Sequence, residues 1–184
     1  AQFLAASLDK LVAANMPEDF RITARYEPDK EKRKLVLRKG LYPYEHMDSW
    51  ERFAEPKLPP KEAFHSKLSD SGISDGDYTH AQEVWKVFGC TNLGDYSDLY
   101  CRTDVLLLAD MFDTFRKMCL RQYGLDPAHY YTSPGLSWDA LLKKTGVELE
   151  LLTDYDQHLF IEKGLRGGIS MVTKRHAKAN NPRV

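Results

Sequence analysis

The sequence is poor in cysteine. The three present, Cys90, Cys101 and Cys119, are odd in number and widely spaced, which fits neither a disulfide framework nor a zinc site. Thiols left free point to a reducing setting inside the cell. Long apolar runs are missing too. The most apolar stretch, VLLLADMF at 105–112, is far shorter than the ~20 residues that cross a bilayer, so no membrane partner is expected. The first residues, AQFLAASLDKL, lack the basic and apolar regions of a signal peptide. Neither charge is in excess: 26 Lys and Arg face 27 Asp and Glu, for a net charge of −1. Any affinity for nucleic acid must therefore come from local clustering. Repeats and low-complexity tracts are absent as well.

What remains is a chain of 184 residues, long enough to bury a core without disulfides or a structural metal. Residue 1 is Ala, not Met, so the sequence reads as a piece of something longer. FLAASLDKLVAAN has apolar residues at helical spacing, and RITARYEPDKEKRKLVLRKG reads as two short strands around a charged turn. Residues 41–72 carry Pro43, Pro56, Pro59 and Pro60 among many rings. They read as an irregular segment packed on the body, with one short helix after Pro60.

Beyond residue 72 the punctuation is clear. Ser74 and Asp77 have capping-box spacing ahead of a helix that Gly89 ends. A long helix is expected over residues 93–123, stopped by Gly124. Its apolar positions Cys101, Val105, Leu108, Ala109, Phe112, Phe115 and Cys119 recur at steps of three and four and should face the core. Ser133 precedes Pro134 and a helix through Leu142, closed by Gly146, and Thr153 caps a last one that runs to about Gly164. RGGISMVTKRHAKANN then alternates like a strand or extended arm.

Three features can carry chemistry. Tyr100 and Asp104 lie four apart on the long helix, hence on one face and one turn apart. A carboxylate there can bind a divalent metal, and a phenol beside it can hydrogen-bond a water or a phosphate oxygen. The ordinary alternative is a half-buried Tyr and a solvated Asp. The tail, residues 163–184, carries Lys163, Arg166, Lys174, Arg175, Lys178 and Arg183 with no Asp or Glu. Gly167 and Gly168 within it permit a turn whose N–H groups bind an anion. That suits a nucleic-acid backbone, or is a solvated basic edge. Finally, Lys39 ends the apolar run LVLRKG before a glycine. It can reach a phosphate, or be one surface lysine among many.

In order along the chain, FLAASLDKLV, KGLYPYEHMDSWERF, LPPKEAFHSKL, DLYCRTDVLLLADMF, YGLDPAHYYTSPGLSWDALLKKTGVELELL and FIEKGLRGGIS resemble blocks of the family B DNA polymerases. The resemblance is to the protein-primed, organellar and viral type, and looks closest to Maverick/Polinton-like elements. It implies that YCRTD is the third motif of a proofreading 3′–5′ exonuclease, with Asp104 a ligand of Mg²⁺ or Mn²⁺ and Tyr100 placing water and scissile phosphate. Lys39 falls where the family has a lysine that assists this site. LRGG, residues 165–168, matches the link between exonuclease and polymerase domains that contacts template. The family usually has Tyr at its first position, and here it is Leu165. Single-stranded template and the primer 3′ end are the implied partners, a terminal protein primer is a further candidate, and a nuclear location fits such elements without any targeting signal marking it.

The resemblance also implies a fold. It is α+β and helix-rich, the C-terminal part of a ribonuclease-H-like exonuclease domain over residues 1–146, with the irregular insert at about 41–72. Residues 147–184 would be a connector helix and a basic Gly-Gly arm leading to the polymerase palm. Other parts of the family pattern are missing. The lone Asp-x-Glu, Asp29-Lys30-Glu31, sits in a charged turn and is rejected as the metal-binding pair. No second exonuclease motif is found, and the polymerase carboxylates should begin beyond the tail. The chain thus reads as an internal fragment of a DNA-directed DNA polymerase that holds no metal tightly and is inactive alone. The alternative is a degenerate, non-catalytic remnant that still binds DNA.

Overall fold

A computed structural model describes residues 6–167 and 176. It contains the helices α1 (Leu8–Ala13), α2 (Arg21–Tyr26), α3 (Lys30–Val36), α4 (Asp75–Val87), α5 (Leu93–Tyr123), α6 (Ser133–Thr145) and α7 (Tyr155–Gly164). Short 3₁₀ turns stand at Pro17–Asp19, Trp50–Ala54, Lys61–Phe64 and Pro127–His129. Two compact units divide the chain, residues 1–145 and residues 146–184.

Helix α5 is the spine of the first unit. Its 31 residues make a rod of about 46 Å. Asn92 caps its start by accepting from the Asp95 amide at 2.9 Å. Gly124, at φ 62°, ends it in the left-handed conformation that a side chain resists. Against this rod pack α1, α2, α6 and three of the 3₁₀ turns, while α3 packs on α4. From its last third, Arg116 grips Asp126, just past the helix end, through Nε at 2.9 Å and a terminal nitrogen at 2.5 Å. The guanidinium holds the Asp126 carboxyl well below the usual carboxylate range, helped by the Ala128 amide.

Burial concentrates in two clusters along α5. Near its middle, Leu107 and Met111 meet Val12 and Phe20. Toward its start, Leu93, Tyr96 and Leu99 meet Val84 of α4, with Leu35 and Tyr42 against them. Each large side chain taken fully from water contributes about 1.5–3 kcal/mol. These clusters fix α1 and α2 at one level of the rod and α3 and α4 at the other.

The most buried polar group is Asp110, which has 0% exposure. Its Oδ1 accepts from the Ile22 amide at 2.7 Å, and its Oδ2 from the Thr23 amide at 2.9 Å and the Thr23 hydroxyl at 2.6 Å. Those amides belong to the first turn of α2, where no helical carbonyl is available to accept from them. Phe20, at the N-cap of α2, offers no side-chain cap. Asp110 takes that task from 88 residues along the chain.

The expected α+β class is overturned. The structure is 62% helical, and the described residues contain no strand, only an isolated bridge between Ser66 and Ser71. A ribonuclease-H-like sheet is therefore absent among them. The two strands expected within residues 21–40 are the helices α2 and α3. The charged turn between them is a helix start: Asp29 accepts from the amides of Glu31 and Lys32 at 2.8 and 3.2 Å. Behind that cap stand Lys, Glu and Arg, all good helix formers. The arm expected from residue 166 onward lies largely outside the described residues.

The stripe expected to bury α5 is also corrected. Cys101 is exposed, as are Val105 at 60% and Leu108 at 56%. The face actually buried runs through Leu93, Tyr96, Leu99, Thr103, Leu107, Asp110, Met111 and Cys119. VLLLADMF is apolar on more than one face, so its spacing does not select which face meets the core. Local punctuation fared better. Ser74 caps α4, Gly89 and Gly146 both adopt positive φ behind their helices, and a short 3₁₀ helix follows Pro60. In the second unit α7 is capped by Asp154, not Thr153, through the Gln157 amide at 2.9 Å.

Removing the Asp110 carboxylate should unfold this arrangement. Asp110→Ala leaves three buried donors unsatisfied and should cost about 3–5 kcal/mol. Thr23→Val removes one hydroxyl donor and should cost about 1–2 kcal/mol. Urea titration followed by circular dichroism reads both as lower midpoints at an unchanged slope.

Candidate functional site

Helix α5 carries Tyr100 and Asp104 one turn apart, both half-buried. The ring of Tyr100 stacks on Tyr42, with centroids 4.9 Å apart and planes at 26°. Its hydroxyl hydrogen-bonds the Tyr44 hydroxyl at 2.7 Å. Two further bonds hold the same loop to α5. The Tyr96 hydroxyl donates to the Leu41 carbonyl at 2.7 Å, and Tyr42 and Ser97 share a hydroxyl pair at 2.9 Å. Between the two tyrosines of the loop, Pro43 is fully buried. The Tyr44 amide donates to the Tyr42 carbonyl at 3.0 Å across Pro43, a tight three-residue turn from which both rings reach the helix.

Lys39 enters through its neighbour. A Cβ placed on Gly40 would lie 2.9 Å from Cδ2 of Tyr100. Only glycine lets the backbone cross the ring this closely. The segment bearing half-buried Lys39 therefore runs directly past Tyr100. Beneath it is a cavity of about 20 Å³ lined by Gly40, His80, Tyr96, Leu99, Tyr100 and Thr103, room for about one water.

The electrostatics follow from burial. Burial pushes the Tyr100 phenol well above the ordinary tyrosine value, reinforced by the bond to Tyr44 and by the nearby Asp104 carboxylate. Burial raises Tyr96 as well, with Cys90 adding to it. Asp104 is unusual in another way: its Oδ1 is buried and has no hydrogen-bond partner among the described residues. A buried acceptor left unpaired costs about 1–3 kcal/mol, and such atoms are rare enough in folded proteins to call for an explanation.

Asp104 does not make a metal site by itself. Mg²⁺ takes near-octahedral oxygen coordination, and among the described residues no group of three or more His, Cys, Asp or Glu could hold an ion. The donor set present does not fit the one or two ions that the sequence resemblance implies. Asp29, set aside as a ligand on sequence grounds, is the cap of α3, its carboxyl lowered chiefly by the amides of Lys32 and Glu31.

The other sequence candidates lie in the second unit. Arg166 is folded back at the end of α7, donating to the carbonyls of Lys163 at 2.5 Å and Leu165 at 3.0 Å. Gly167 has open space around it. Gly168, Lys174, Arg175 and Lys178 lie outside the described residues. Sequence reasoning missed Tyr42 and Tyr44 as neighbours of Tyr100. Their signal was present in KGLYPYEH, where a buried proline separates two rings. Compared with known proteins, the chain matches no family model, no curated protein and no solved structure.

The raised phenols make stability depend on alkaline pH. A phenol whose pKa is higher folded than unfolded contributes stability that is whole below its unfolded value of 10.0. That contribution is lost as pH climbs through the folded value. Urea midpoints should therefore fall between pH 9 and pH 11 for the native chain. They should fall less steeply for Tyr100→Phe, which starts about 1 kcal/mol lower at neutral pH.

Proposed function

We propose that this chain is a segment of a DNA-directed DNA polymerase of family B, of the protein-primed organellar and viral type. In the intact enzyme Asp104 and Tyr100 serve 3′–5′ proofreading. The observation that carries this reading is the buried, unpartnered Oδ1 of Asp104 one turn from a tyrosine that two other tyrosines hold in place. That arrangement is costly for a purely structural pair and useful for a pair awaiting further groups. Six ordered sequence blocks support the same reading.

In this proposal Asp104 is one ligand of Mg²⁺ or Mn²⁺ in the intact enzyme, and the remaining ligands come from elsewhere in it. Tyr100, like any phenol, keeps its proton at physiological pH, and burial raises its pKa further. It can thus donate a hydrogen bond to a water or a phosphate oxygen. Lys39, carried past Tyr100 by Gly40, supplies positive charge to the phosphate. Arg166, Gly167 and Gly168, with Lys174, Arg175 and Lys178, hold single-stranded template in a salt-sensitive, largely sequence-independent way. The primer 3′ end is the other nucleic-acid partner, and a terminal protein is a candidate primer.

The first test is the coding DNA on both sides of the segment. An open frame with an Asp-x-Glu strand motif upstream and a Ser-Leu-Tyr-Pro motif downstream supports the proposal. A start codon just before Ala1 and a stop just after Val184 would favour a non-catalytic DNA-binding remnant. The second test uses the chain itself with a 5′-labelled single strand and Mg²⁺. No nucleotide release is expected, and release abolished by Asp104→Ala would overturn the view that this segment is incomplete. In the intact enzyme Tyr100→Phe should slow excision about 10²-fold, the typical loss for one preorganised donor, and leave synthesis unchanged.

A further inference from the structure

The chain carries a net charge of −1, yet residues 21–39 hold eight Lys and Arg against three Asp and Glu. The fold gathers part of this excess in one place. A groove of about 460 Å³ between the Pro17–Asp19 turn, α2 and α3 is lined by Arg21, Lys30, Arg33 and Lys34, with Glu18 the acidic residue in it. A second groove, of about 400 Å³, runs from the start of α2 to the last turns of α5 and is lined by Arg21, Lys117 and Arg121, with Asp19 the acidic one. Arg21 belongs to both. Six cations on three helices thus line two grooves that meet at one residue.

Their existing partners leave most of this charge available. Lys34 pairs with Glu31 at 2.9 Å, with both side chains at least 70% exposed, and Lys117 pairs with Asp113. Arg33 donates to the carbonyls of Ala24 and Glu27, which are neutral acceptors. Arg21, Lys30 and Arg121 are exposed, and no hydrogen bond or ion pair engages their side chains among the described residues.

We infer that the two grooves form one track for the phosphate backbone of a nucleic-acid strand, built from residues other than those of the basic tail. The apolar wall of the first groove includes Phe20 and Leu37, and Phe20 is buried, so no exposed ring is offered there for base stacking. The expected contact is with sugar and phosphate and is indifferent to sequence. Exposed, flexible cations also favour this partner over an acidic peptide. Surface ion pairs with a peptide are worth little. A polyelectrolyte strand releases condensed counterions at every phosphate neutralised. The track does not involve Asp104.

The test is fluorescence anisotropy of the full chain with a labelled, mixed-sequence single-stranded oligonucleotide between 50 and 200 mM NaCl. The variant Arg21→Gln/Lys30→Gln/Arg121→Gln changes exposed cations alone, and circular dichroism checks that it stays folded. At 100 mM NaCl it should bind at least tenfold more weakly. Its slope of log affinity against log salt should be shallower by about 2, since each lost contact to a single strand is worth about 0.7. A control with the same charge change at exposed sites off the track, Lys57→Gln/Lys86→Gln/Lys144→Gln, should keep both values close to native. Three results overturn the inference: the track variant binding within twofold of native at an unchanged slope, the control losing as much as the track variant, or a polyglutamate peptide displacing the strand at equal charge.

Discussion

Asp110 reaches from the middle of α5 to the first turn of α2 and accepts three hydrogen bonds there. Much of the first unit depends on that contact. A six-residue helix is too short to be stable by itself. Its opening amides would be orphaned in the interior without an acceptor. The carboxylate supplies the acceptor and fixes the position of α2 along the rod. With α2 placed, Phe20 enters the cluster of Leu107 and Met111, and the chain is set to turn through Asp29 into α3. The constraint is exacting because an aspartate in that position is costly unless it is fully bonded.

A second level of the rod is built from phenols instead of a carboxylate. Tyr96, Ser97 and Tyr100 project from α5 and bind Leu41, Tyr42 and Tyr44 in turn. Each bond contributes modestly, about 0.5–1.5 kcal/mol net. Together they press an irregular loop onto a helix and seat Gly40 against the Tyr100 ring. Asp104 lies one turn farther on, with an oxygen that nothing among the described residues satisfies. The contrast with Asp110 is informative. On one helix, six residues apart, one aspartate is fully bonded for structure and the other is left with an unused acceptor.

Charge follows the same principle of placement over total. A nearly neutral chain still presents a basic surface, because α2 and α3 concentrate cations that the last turns of α5 extend. Acidic residues elsewhere balance the sum without entering those grooves, apart from Glu18 and Asp19. In the two proposals this surface steers a strand by electrostatics, while the chemistry is assigned to a few groups around Tyr100. The two proposals rest on different residues.

Much of the helical punctuation was legible in the sequence. Ser74, Gly89, Gly124 and Gly146 mark helix ends because capping and positive φ are local matters, decided within four or five residues. The pairing of Tyr100 with Asp104 on one face followed from helical spacing in the same way. Other features were decided only by tertiary structure. Residues 21–36 fold as helices and not strands, since short segments take their form from what caps and covers them, here Asp110 and the rod for α2, and Asp29 and α4 for α3. Which face of α5 is buried depended on partners distant in sequence, because VLLLADMF offers apolar residues on several faces. Tyr42 and Tyr44 meet Tyr100, and six cations line two adjoining grooves, through contacts that no sequence period encodes.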